Sequence, residues 1–127
     1  MNTMAPPRPT ERHGCRVRLS AEPAAAAEAR DHVRAALSAW PAPADPDIAV
    51  LLTSDLVTDA VRHQAGGSIT LDVGCDRGRL RVQVHADVPD VGPGLVLVTR
   101  LSDEWGSYRT PWGRVTYFAL AGHGERS

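Results

Sequence analysis

Apolar residues recur every second position in some stretches and every third or fourth in others, and the switching between these periods sets the order of elements. Cys15-Arg16-Val17-Arg18-Leu19-Ser20 alternates and predicts a first strand. Ala26, Ala29, Val33, Leu37 and Trp40 follow at helical spacing, with Pro23 near the first turn. Pro41, Pro43 and Pro46 then break the chain. A second helix, capped by Asp45 or Asp47, runs to about Gln64 and stops at Gly66-Gly67. Ile69, Leu71, Val73 and Cys75 alternate with polar neighbours, Asp76-Arg77-Gly78 turns the chain, and Leu80, Val82, Val84 and Ala86 form the hairpin partner. Beyond a Pro/Gly stretch from Val88 to Gly94, Leu95, Val98, Leu101 and Trp105 predict a third helix. Ser107-Tyr108-Arg109-Thr110, a Pro111-Trp112-Gly113 turn and Val115 to Leu120 close the chain as strands. The order β-α-α-β-β-α-β-β predicts an α/β fold, a two-layer sandwich. Its mixed, mostly antiparallel sheet is covered on one face by about three helices.

One segment breaks the apolar logic. In Ser54-Asp55-Leu56-Val57-Thr58-Asp59-Ala60-Val61-Arg62-His63, two carboxylates stand four residues apart and so share a helix face. Ile48, Leu51 and Leu52 lie on the same stripe one and two turns earlier. Acids along an apolar face are costly unless paired, which makes this helix the first candidate for chemistry. The plain alternative is local pairing, with Asp59 held by Arg62 or His63 and Asp55 solvated at the helix edge.

Composition narrows the classes. With 127 residues the chain supports one domain, 15–121, flanked by tails at 1–14 and 122–127. A net charge of -1 and the lack of a basic run give no electrostatic case for direct nucleic-acid binding. No apolar stretch is long enough for a membrane span, and residues 1–14 carry prolines and arginines but no apolar signal-peptide core. Cys15 and Cys75 both fall on strand patterns and read as buried free thiols in a reducing cytoplasm. The five histidines and two cysteines show no close ligand spacing, which argues against zinc. The three tryptophans read as core or rim packing, with Trp112 at a turn and available to a partner.

Four pieces in sequence carry a resemblance: the Asp55-to-His63 helix, Gly92-Pro93-Gly94-Leu95-Val96-Leu97-Val98, Asp103-Glu104-Trp105-Gly106, and Thr110-Pro111-Trp112-Gly113. Together they resemble the nucleotide-binding (Bergerat-type) domain of histidine kinases, gyrase and Hsp90, and within it the small single-domain anti-sigma-factor serine kinases of actinobacteria. The resemblance covers roughly Val17 to Leu120. It implies ATP and Mg²⁺ as cofactors, Asp55 in the place of the general-base Glu, and Asp59 in the place of the Mg²⁺-binding Asn. It also implies nucleotide contacts from Asp87, Gly92, Gly94, Leu95 and Thr110.

The match degrades where adenine is read. The family's adenine-binding Asp falls on Ala86, one place before Asp87, and a one-residue shift along a strand reverses the face unless a bulge intervenes. The supporting Thr of the last strand falls on Val115. The phosphate lid is short, since only Asp90 and Val91 separate Pro89 from Gly92. Two functions of different class follow from the resemblance. In the first, the chain is a partner-switching regulator that binds a sigma factor, an anti-sigma-factor antagonist or both, with ATP binding weakened or lost. In the second, it is a working serine kinase that phosphorylates the antagonist, with Asp87 reading adenine through a bulge. A homodimer whose interface covers the cleft is a further expectation.

Overall fold

The structure is a computed structural model, and it describes residues 13–40, 44–64, 66–76, 78–88 and 95–121. Strands β1 (His13–Ser20), β2 (Ser68–Asp76), β3 (Arg79–Ala86), β4 (Glu104–Thr110) and β5 (Gly113–Ala121) form one sheet in the order β1-β2-β3-β5-β4. Every pairing is antiparallel, so the sheet has none of the parallel character that a mixed sheet allows. Helices α1 (Ala25–Ala39), α2 (Pro46–His63) and α3 (Val96–Leu101) cover one face.

Sheet parity separates core from surface. Leu71, Val84 and Thr116 stand in one cross-strand row, and Val73, Val82, Phe118 and Trp105 in the next, all on the helix-covered side. The opposite face is polar. There Arg16 donates to Asp72 at 2.6 and 3.1 Å, and Gln83 adds a third bond to the same carboxylate at 3.2 Å. The Arg81 guanidinium lies 3.8 Å from the centre of the Tyr117 ring, whose hydroxyl donates to Glu104 at 3.0 Å.

The helices meet the sheet through small and branched residues. Ala25, Ala29, Val33 and Ala36 of α1 are buried, with Ala26, Leu37 and Trp40 partly covered at the margin. Asp45 caps α2 by accepting from the amides of Asp47 and Ile48, at 2.8 and 3.4 Å, and Pro46 occupies the position that needs no amide partner. Arg30 donates to Ser54 at 2.8 Å and ties α1 to α2. Leu52 and Leu56 are buried, but Leu51 is exposed and does not share their stripe.

Two further expectations need correction. The third helix ends at Leu101, and Trp105 stands on β4 instead; the chain turns extended at Ser102. Apolar residues at 95, 98, 101 and 105 mimic a helical period across that boundary. Cys15 is also exposed on the edge strand, whereas Cys75 is buried; both are free thiols. The Cys15 thiol is pushed above the ordinary thiol range, first by burial of its sulfur and second by the Asp72 carboxylate. A raised value means that the reactive thiolate forms only at higher pH. Alkylation of Cys15 at pH 8 is therefore expected to be slower than that of an unhindered thiol and to climb steeply in more alkaline buffer. Asp72→Asn should speed it up, as read by mass spectrometry of iodoacetamide-treated protein.

Candidate functional site

The site is built where α2 crosses the end of β3 and the start of β5. Leu56, Asp59 and Ala60 of α2, Val84, Ala86 and Val88 from β3 and its exit, and Arg114 and Thr116 of β5 line a cleft. Open solvent included, it spans about 270 Å³, and very little of that space is enclosed. Its floor is apolar because the inward positions of β3 are Val84 and Ala86, and its rim carries one carboxylate, one guanidinium and one hydroxyl.

The two acids of α2 have separate settings. The Asp59 side chain is only 12% exposed, with Oδ1 3.6 Å from Nδ1 of His63. The same imidazole nitrogen lies 2.9 Å from the Asp59 carbonyl, so the ring is held against the last turn of the helix. Asp55 lines no part of the cleft. Its Oδ2 accepts from the Val98 amide at 3.0 Å, the third residue of α3. The N-cap of α3, Leu95, has no side-chain acceptor of its own, so a carboxylate from α2 does that work across the helix pair. A six-residue helix is not stable alone. Removing this anchor in Asp55→Ala is expected to cost about 1–2 kcal/mol. Asp55→Asn, which keeps an acceptor oxygen, should recover most of it, as measured by urea unfolding.

Parity decides the remaining positions. Ala86 is buried and faces the cleft, while Asp87 is exposed and its amide donates to Gln64 Oε1 at 2.8 Å. The β3–β5 ladder runs without a bulge from Arg79↔Ala121 to Ala86↔Arg114, and nothing in it turns Asp87 inward. Val115 pairs with His85 on the outer face, and its neighbour Thr116 is the last-strand hydroxyl that faces the cleft. Thr110 is likewise on the outer side. Its Oγ1 lies 3.0 Å from His85 Nε2 and accepts from the Trp112 amide at 3.2 Å, so it pins the β4–β5 turn. Leu95 is buried in the core. Gly92, Gly94 and the short lid before them lie outside the described residues.

Arg114 and Thr116 were absent from the sequence reading. Counting in twos from Phe118, the largest apolar residue of β5, would have found both. Arg114 donates to Ser107 at 3.0 Å, and Ser107 exchanges a hydrogen bond with Thr116 at 3.1 Å. A short polar chain thus leads from the cleft to β4.

The chain is similar to the crystal structure of the RsbU and RsbW domains of Rv1364c from Mycobacterium tuberculosis. The TM-score is 0.70 at 19% sequence identity, over 87% of this chain and 32% of that one. The fold is shared. The helix-covered antiparallel sheet is common to both, and this chain spans about a third of the length of that structure. No family model matches the chain, and no curated protein matches it in sequence.

The resemblance carried by the sequence motifs implies ATP with Mg²⁺, and the cleft formed by the described residues fits that group poorly. At the inward end of β3, where an acid would read adenine, it presents the methyl group of Ala86. Asp55 is committed to α3. Of the acids that the resemblance assigns to the nucleotide, Asp59 is the one on the cleft wall. Among the described residues no three His, Cys, Asp or Glu side chains converge.

Proposed function

We propose that the chain is a partner-switching regulator of the anti-sigma-factor type that acts mainly by protein binding, with nucleotide binding weakened or lost. The observation that carries this reading is the pair Ala86 and Asp87: the inward residue is a methyl group, and the carboxylate one step later is exposed beside Gln64. A missing hydrogen-bond partner costs about 1–3 kcal/mol, enough to weaken adenine binding by about fivefold to about 150-fold. Likeness of fold to a structure containing an RsbW domain supports the class of partner, a sigma factor or an antagonist of anti-sigma factors. Without a nucleotide to bias the outcome, choice between partners reduces to competition for one surface.

A working serine kinase dependent on ATP and Mg²⁺ is the second reading. Asp59 and Thr116 on the cleft wall favour it, as groups able to meet a metal ion and a purine. Calorimetric titration of the full chain with ATP and ADP, with and without Mg²⁺, separates the two. No heat up to millimolar nucleotide, together with nucleotide-independent binding to purified sigma factors or antagonists, is the expected result. Micromolar Mg²⁺-dependent binding overturns the first reading and calls for phosphorylation assays on the antagonists.

A further inference from the structure

The ladder between β4 and β5 sets two arginines face to face. Arg109 pairs directly with Arg114, and the next pair on the same face is Ser107 with Thr116. Arg114 and Thr116 line the cleft, so all four side chains stand on the helix-covered side, with Arg109 and Ser107 one strand further out. Residues directly opposed in an antiparallel pair have Cα atoms about 4.5–5.5 Å apart, and like charges so placed are destabilising. The two hydroxyls beside them add donors in surplus. Ser107 accepts from Arg114 Nη1 at 3.0 Å, and one hydroxyl proton serves the 3.1 Å bond between Ser107 and Thr116. The pair carries two such protons, which leaves the second for an acceptor outside this network.

We propose that Arg109, Arg114, Ser107 and Thr116 form a binding site for a phosphate group, free or as a monoester, at the β4 side of the cleft. A guanidinium has five N–H donors, no acceptor, and a planar fork that matches phosphate oxygens two at a time. Two forks and a hydroxyl bring donors from three directions. That set suits a tetrahedral group with three acceptor oxygens better than a planar carboxylate. A dianion between the arginines replaces the repulsion of the opposed pair with attraction to a shared centre. Asp59, on the α2 wall, is the single carboxylate among the cleft-lining residues, and it stands against two guanidiniums, so the local balance stays positive. Glu104 does not offset them, because it is turned to the outer face and accepts there from Arg79 and Tyr117. The site needs neither adenine nor Mg²⁺ and is therefore independent of the partner-switching reading above.

Titration of the full, ¹⁵N-labelled chain with sodium phosphate, at fixed neutral pH and with chloride adjusted to hold ionic strength constant, tests this by nuclear magnetic resonance. The expected result is saturable shifts in the amides of Ser107, Arg109, Arg114 and Thr116, with little change elsewhere. Arg109→Gln removes one fork and should weaken phosphate binding at least about tenfold. Arg109→Lys keeps the charge without the fork and should retain part of the affinity. Far-ultraviolet circular dichroism checks that both variants are folded. Parallel titrations with O-phosphoserine and serine identify the source of the phosphate. Tighter binding of O-phosphoserine than of phosphate, with none of serine, supports the site and assigns it to a phosphorylated side chain. Equal affinity for the two supports the site and assigns it to the free anion. If neither phosphate nor O-phosphoserine gives saturable shifts at these four amides, the proposal fails. It fails equally if Arg109→Gln binds phosphate as the unaltered chain does.

Discussion

Gly113→Ala is expected to destabilise the protein by about 3 kcal/mol or more, one of the two largest effects of any single substitution considered for this fold. Two causes act together. Gly113 has φ of +145°, a conformation that side-chain-bearing residues rarely adopt. A Cβ built there would lie 2.3 Å from the Ala86 carbonyl oxygen and 3.1 Å from the Asp87 Cα, both backbone atoms that cannot rotate away. Relief requires β5 to part from β3 at the point where Ala86 and Arg114 form the cleft wall, so the wall should open as the ladder frays. Gly66→Ala is the control. Its φ is +75° but nothing lies within 4 Å of the added carbon, so only the conformational cost of about 1–2 kcal/mol remains. Urea unfolding followed by circular dichroism measures both. Equal losses at the two positions would mean that the close approach of β3 and β5 is not what limits residue 113.

That contact also shows where sequence reading stops. Alternation in β2 and β3 and the Asp45-Pro46 start of α2 follow from local pattern, because period and capping are properties of neighbouring residues. Which residue faces the cleft is a matter of parity between strands far apart in sequence. The identity of Ala86 as the inward residue was legible from its alternation with Val84 and Val82. Its neighbour on β5 was not, because motif matching put Val115 in the place of the family's last-strand Thr, whereas the β5 residue whose hydroxyl faces the cleft is Thr116. Asp55 is a different case. Its place on an apolar stripe marked it as unusual, but its partner, the amide of Val98, is 43 residues away on a helix too short to be bounded by pattern. Thr110 sits in the right segment, and its outward parity makes it a turn residue.

Phe118→Ala is expected to lower stability by about 3–5 kcal/mol, a large share of the 5–15 kcal/mol typical of a domain. Phe118 is fully buried and the only phenylalanine in the chain. It stands between Val82 on β3 and Trp105 on β4, on the helix-covered face, so it fills the space where the central strands give way to the edge. The residues around it are held by ladders on both sides and cannot collapse inward, so the loss combines apolar transfer with a persisting cavity. Trp105 is its cross-strand neighbour and is itself partly exposed, so the truncation should also loosen the indole on β4. Phe118→Leu leaves most of the volume filled and should cost no more than about 1.5 kcal/mol. Chemical unfolding of the two variants gives the stability ranking. If Phe118→Ala costs less than about 1 kcal/mol, then β5 does not present this residue to the core, and the inward assignment of Thr116 and Arg114, which shares its parity, fails with it.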